Sequence, residues 1–135
     1  MQISFSNHAN VSVMRLAGEV DSSNYTEVIA RAQKAYDEGA RNLLLDLELV
    51  SYVSSAGLMA FHTIARIYSG QTLLDANSGR PIFRAINPAK DSSAREHFKL
   101  LNPQAAVDQV LDVVGLKTFF EIFTDMEAAL ASFSA

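Results

Sequence analysis

The chain has 135 residues, of which 49% are hydrophobic and 19% charged, enough apolar content for one domain with a sizeable core and too much for wholesale disorder. There is no cysteine, which excludes disulfides and thiolate metal sites, and the net charge of −4 argues against a sequence-independent nucleic-acid binder, which needs a basic footprint. No apolar run is long enough to span a bilayer, and the opening "MQISFSNHAN" lacks the charged start and apolar run of a secretory signal, so a soluble cytoplasmic protein is expected.

The first predicted element is "QISFSN", which alternates with period two: Ile3 and Phe5 on one side, Ser4 and Ser6 on the other, a half-buried strand. "NVSVMRLAGEV" repeats the pattern, with Val11, Val13 and Leu16 near one face and His8 to Asn10 as the turn of a β-hairpin. The capping cluster "DSSNY" opens a helix with Tyr25, Val28, Ile29, Ala32, Ala35 and Tyr36 at helical spacing, closed by Gly39. The nearly continuous apolar run from Asn42 to Val50 predicts a central strand buried on both faces. A second helix follows the loop "SYVSSAGLMAF", with Leu58, Phe61, Ala65 and Tyr68 as its stripe and Gly70 as its end.

Residues 71–95 read as an excursion rich in Gly, Pro, Asn, Ser and charge, with a short apolar patch from Ile82 to Ile86. "HFKLL" is a strand. In "NPQAAVDQVLDVVGL" Asn102 caps, Pro103 takes the first helical position, Val107, Val110, Leu111 and Val114 form the stripe, and Gly115 closes the helix. "KTFFEIF" is a last strand, and a capping box from Thr124 to Glu127 opens a short terminal helix. Helices interleaved with strands predict an α/β domain with a mixed, mostly parallel sheet spanning residues 1–135.

Nothing here predicts catalysis. The histidines His8, His62 and His97 are scattered without metal-ligand spacing, and there is no GxGxxG, P-loop or GxSxG pattern, so no metal and no cofactor are expected. Asp46 is read as bonding backbone groups at its strand end, and "DSSA" from Asp91 to Ala94 as surface loop. The loop "SSAG" remains. Ser54 or Ser55 can simply cap the second helix. A phosphoryl group on Ser55 would also sit where a helix N-terminus favours anions, and its charge of about −1.5 to −2 would reshape any partner surface there.

Three blocks together carry a resemblance: "LAGEVD" (Leu16 to Asp21), "NLLLDLELVSYVSSAGLMAF" (Asn42 to Phe61) and "LNPQAAVDQVLDVVGLKTFFEIF" (Leu101 to Phe123). In this order they resemble the STAS domain family, specifically the bacterial anti-sigma factor antagonists. The resemblance implies a STAS-like fold with helices packed mainly on one face of the sheet, and no enzymatic activity. It implies a switch in which the unmodified protein binds an anti-sigma factor that is also a serine kinase, and so regulates transcription. Phosphorylation breaks the complex and a PP2C-type phosphatase resets it. The family's acceptor lies two residues before the loop glycine, here Ser55 before Gly57, with Ser54 as the alternative. The loops after the second and third strands are expected to meet at one end of the sheet, with Met59 and His62 off the core stripe of the second helix, so Asp21, Ser22, Ser54, Ser55, Ala56, Gly57, Leu58, Met59 and His62 are expected to line the partner surface. STAS domains also act as regulatory subunits of transporters, secretion systems and signalling enzymes, which is the alternative function, and a homodimer stays open. The chain departs from the family at Ser54, where many members carry aspartate, and in the long 71–95 excursion. That excursion is expected to lie away from Ser55, because the second helix runs back along the sheet for roughly 20 Å.

Overall fold

The structure is a computed structural model that describes residues 1–69, 94–116 and 119–133. Among the described residues five strands form one sheet in the order β1 (Gln2–His8), β2 (Val11–Val20), β3 (Leu43–Val53), β4 (Phe98–Leu101) and β5 (Ile122–Phe123). β1 and β2 pair antiparallel, and the other neighbours are parallel. The helices are α1 (Tyr25–Asp37), α2 (Ser55–Tyr68), α3 (Ala94–His97), α4 (Ala105–Val113) and α5 (Met126–Ser132). This is the α/β, mostly parallel architecture that the strand–helix alternation predicts.

The strand order steps in one direction from β2 to β5. Right-handed crossovers then place the connecting helices on one face. The packing agrees: Val28 and Ile29 of α1, Phe61 and Ile64 of α2, and Val107 and Leu111 of α4 share a core with Met14, Leu16, Leu45, Val50 and Phe98. The opposite face carries a smaller cluster in which Ala129 and Phe133, in and just after α5, cover Val11, Val13, Leu44 and Leu101. Lys99 holds α5 there. Its buried ammonium donates to the carbonyl and hydroxyl of Ser132, lies 3.7 Å from the Glu121 carboxylate, and sits over the Phe133 ring.

Several expected boundaries move. His8 belongs to β1, paired with Val11, so the hairpin turn is only Ala9 and Asn10. Leu16 faces away from Val11 and Val13, as strict alternation requires of an even position among odd ones. β1 is almost wholly exposed. α1 ends as expected, with Gly39 at φ +114 just past its last turn. α4 begins at Ala105 with Gln104 as its N-cap, two residues later than Asn102 and Pro103 suggested; Asn102 takes a left-handed φ of 52° and turns the chain first. Val107 and Leu111 are buried, whereas Val114 is exposed. Asp125, not Thr124, caps α5 by accepting from the Ala128 N–H. The last strand is confined to Ile122 and Phe123, and His97 ends α3 rather than starting β4. Gly70, the Ile82–Ile86 patch and nearly all of the 71–95 excursion, with Asp91 to Ser93, lie outside the described residues.

β3 departs most usefully from expectation. It runs on to Val53, and its second half is not buried on both faces: Glu48, Leu49, Ser51 and Tyr52 are exposed. Two register shifts explain this. From Arg15↔Asp46 to Ala17↔Leu49, β3 advances one residue more than β2, and again between Gly18↔Val50 and Glu19↔Tyr52. The core face therefore reads Leu43, Leu45, Leu47, then Val50 and Val53, while Leu49 and Tyr52 are exposed and belong to neither cluster. Asp46 supports the first bulge by accepting the Glu48 N–H at 3.0 Å, and Gln104 donates to the Glu48 carbonyl at 2.8 Å. Asp46 thus bonds backbone as expected, but inside the strand rather than at its end.

Candidate functional site

β2 and β3 are parallel, so the loops that follow them leave the same end of the sheet. The Ser54 N–H donates to the Val20 carbonyl at 2.9 Å, which ties the two exits together. Each loop is then fixed by its own short polar side chains. Asp21 accepts from both the N–H and the hydroxyl of Ser23, an Asx-type turn. Asn24 accepts from the Asp21 N–H and donates to the Glu19 carbonyl. The Ser23 hydroxyl first, and the Ser23 N–H second, hold the Asp21 carboxyl below its usual range.

In the second loop Ser54 is extended, at φ −82 and ψ 177, and its Oγ accepts from the Gly57 N–H at 3.3 Å. Ser54 is therefore the N-cap of α2, and its hydroxyl is engaged. Ser55 is the first helical residue and is exposed. Among the described residues its hydroxyl has no hydrogen-bond partner. The Ser55 and Ala56 N–H groups point out of the helix start without an intrahelical acceptor, which gives this end its partial positive charge.

Gly57 sets how closely α2 approaches the strands. A Cβ there would lie 2.7 Å from Val53 Cγ1 and 2.8 Å from the Val20 carbonyl oxygen. The glycine is buried, and its contribution is to let the first turn of α2 rest on the ends of β2 and β3. Farther along, Leu58 packs partly on the core, Met59 is half-buried, and the His62 ring stands edge-on to Phe119 at 5.5 Å. The structure thus brings Asp21, Ser22, Ser54, Ser55 and Ala56 to one sheet end, with Met59 and His62 along the helix that leaves it. Sequence reading missed Ser23 and Asn24, which shape the Asp21 turn; the D-x-S-N spacing is the signal that marks them. It also missed Phe119, which reaches His62 only through the fold, and the exposed Tyr52 beside the loop, which the bulges turn outward.

No helix among the described residues is long and apolar enough to cross a membrane. A family model described as Mlab, STAS domain, matches residues 3–76. No curated protein sequence matches the chain. Among solved structures, a Thermotoga maritima protein provisionally assigned as an anti-sigma factor antagonist is similar with a TM-score of 0.75 at 15% identity, over 98% of this chain and 95% of that one. An anti-sigma factor antagonist from Mycobacterium paratuberculosis gives 0.68 at 18% identity, over 99% and 94%. The anti-sigma factor antagonist SpoIIAA gives 0.61 at 20% identity in its unphosphorylated form, over 95% and 93%. In the phosphorylated form the Bacillus protein gives 0.57 at 22%, over 95% and 96%. At these identities the likeness establishes a shared fold.

Proposed function

The chain belongs to the STAS domain family, and from that premise we propose that it is an anti-sigma factor antagonist, a binding module without chemistry of its own that is switched by phosphorylation of Ser55. The observation that carries this reading is the division of labour between the two loop serines: Ser54 is engaged in capping α2, while the Ser55 hydroxyl is exposed at the helix start. The likeness to antagonists, one of them solved with and without its phosphate, supports it. The unmodified loop, with Asp21, Ser22, Ala56, Leu58, Met59 and His62, forms the face that an anti-sigma factor with serine kinase activity would grip. Phosphate on Ser55 removes that fit by charge, and a PP2C-type phosphatase restores it. All 135 residues act as one such domain.

Phosphorylation by the cognate kinase followed by mass spectrometry tests the acceptor: modification at Ser55 is expected, and modification confined to Ser54, Ser92 or Ser93 would overturn the assignment. Capture from host extract, with wild type and Ser55→Asp side by side, tests the partner. An anti-sigma kinase retained by wild type and lost by the variant is the expected result. Capture of a transporter or secretion subunit instead would move the domain to the regulatory-subunit role.

A further inference from the structure

A second feature lies about 30 Å from Ser55, at the far end of β2 and β3. An open cleft of about 660 Å³ is bounded by the β1–β2 turn, the last turns of α1 and the loop into β3. That volume is in the range of small-ligand sites. Its charged lining is Arg31, Lys34 and Arg41 against a single acid, Glu38. The whole chain carries 11 Lys and Arg against 15 Asp and Glu, so this concentration of cations runs against the composition.

The cations are placed for use. Arg31 and Lys34 are three apart on one face of α1, and neither pairs with a carboxylate among the described residues. Arg31 lies over the Phe5 ring at 5.7 Å. Arg41 approaches from the loop, held by Nη1 donating to the Tyr36 and Ala40 carbonyls and by its guanidinium lying 4.1 Å from the Tyr36 ring centroid. Asn7 and Asn10 add carboxamides from the hairpin side. The C-terminus of α1 would ordinarily repel an anion. Here its last carbonyls are occupied: Lys34, Ala35 and Tyr36 accept from the N–H groups of Glu38, Ala40 and Gly39.

We propose that this cleft binds a small phosphate-bearing anion, with Arg31, Lys34 and Arg41 on the phosphate and Asn7 and Asn10 on the group that carries it. Phosphate is favoured over carboxylate because the cations converge from two directions. A planar carboxylate is satisfied by one guanidinium, whereas tetrahedral phosphate oxygens need donors from several sides. The source, a soluble ester or a lipid headgroup, is left to the test.

Amide chemical shifts of the full chain would be followed while adding AMP, adenosine, inorganic phosphate, or phosphatidylcholine vesicles with and without phosphatidate. AMP or phosphatidate vesicles should shift residues 5–12 and 31–42 and leave 54–57 unmoved; whichever does so names the source, and both support the site. Arg31→Gln combined with Lys34→Gln should weaken binding at least about tenfold, two charge-assisted contacts being lost. Both side chains are exposed, so the variant should keep its fold, which its spectrum checks directly. Glu38→Gln should tighten binding. The proposal would be overturned by no shift from any phosphate probe at millimolar concentration, by adenosine binding as well as AMP, or by a double variant that binds like wild type.

Discussion

At the Val20–Val53 end of the sheet the polar side chains are engaged locally: Asp21, Asn24 and Ser54 each bond a backbone group, leaving Ser55 as an exposed hydroxyl without a partner among the described residues. At the Val11–Leu43 end the reverse holds: Arg41 is fastened to α1, while Arg31 and Lys34 face an open cleft with no carboxylate partner among the described residues. The first end is held by its own hydrogen bonds and presents Ser55 at the helix start. The second presents exposed positive charge to a cleft. Polar groups engaged with the backbone build the frame, and the exposed remainder is where a ligand, kinase or partner can act.

The comparison breaks most decisively at Ser55. A frame closed by its own hydrogen bonds implies that charge added there changes binding and not folding. The dipole of α2 favours an anion at its start by about 0.3–1 kcal/mol, and the Asp21 carboxylate on the neighbouring loop, partly exposed to solvent, opposes it. Ser55→Asp should therefore leave the melting temperature nearly unchanged. An unpaired charge pressed into an interface costs several kcal/mol, so partner affinity should fall at least about tenfold. Ser55→Ala should bind and never switch off. A Ser55→Asp protein that unfolds, or that binds at full strength, would show that the loop is not the electrostatic switch described.

Gly57→Ala tests the frame itself. The new methyl meets Val53 Cγ1 and, more seriously, the Val20 backbone oxygen, so the strand ends or the helix must shift. Overpacking of this kind costs about 1–3 kcal/mol, against a helix-propensity gain of at most about 1. A net loss of roughly 1–2 kcal/mol in chemical denaturation is expected. A variant as stable as wild type would mean that the contact relaxes freely.

How much of this the sequence revealed depended on whether the determining interaction was local. The strands β1 and β2, the 3.6-residue stripes of α1 and α2, and Gly39 beyond α1 are local, and they read correctly, whereas the half-buried face expected of β1 is almost wholly exposed and Leu16 lies on the opposite face from Val11 and Val13. So did the loop, because "SSAG" between a strand and a helix defines a helix start. The bulges in β3 were not legible: "LLLDLELVSYV" looks like one buried run, and only pairing with β2 and the reach of Gln104 fix where the register slips. The start of α4 failed for the same reason. Asn102 and Pro103 make a good cap on paper, but Asn102 is used to turn the chain out of β4, and Gln104 is drawn to the Glu48 carbonyl. For the candidate site, the choice of Ser54 as cap and Ser55 as free hydroxyl needed the backbone angles.

That choice gives a smaller and cleaner contrast. Ser54→Ala removes an N-cap, typically worth about 1 kcal/mol, and the 3.3 Å bond places this one toward the low side. Ser55→Ala removes an exposed hydroxyl at the next position and should cost less than about 0.5 kcal/mol. Paired denaturation curves check the difference. Equal losses would mean that both serines share the cap and that neither is reserved for modification.

The smallest effect concerns Asp21, and its sign follows from the turn. The Ser23 hydroxyl and N–H stabilise the carboxylate, so its pKa in the folded protein is below the ordinary value of 3.8. A group depressed on folding contributes stability above its unfolded pKa, and that contribution is lost as pH falls through the folded value. Between neutral pH and about 5 the turn should therefore be insensitive to pH. Below the ordinary value wild type should lose stability that Asp21→Asn, which cannot titrate, does not lose. Phosphate on Ser55 adds a second test. At the pH where Asp21 titrates the phosphate is a monoanion, since its second pKa is about 6; that charge still disfavours a neighbouring carboxylate, so phosphorylation should move the Asp21 titration upward. Carbon-detected NMR of the Asp21 carboxyl in both forms measures this. An upward move places the two groups within each other's field, as the Val20–Ser54 tie implies, and an unmoved titration would separate the Asp21 turn from the switch.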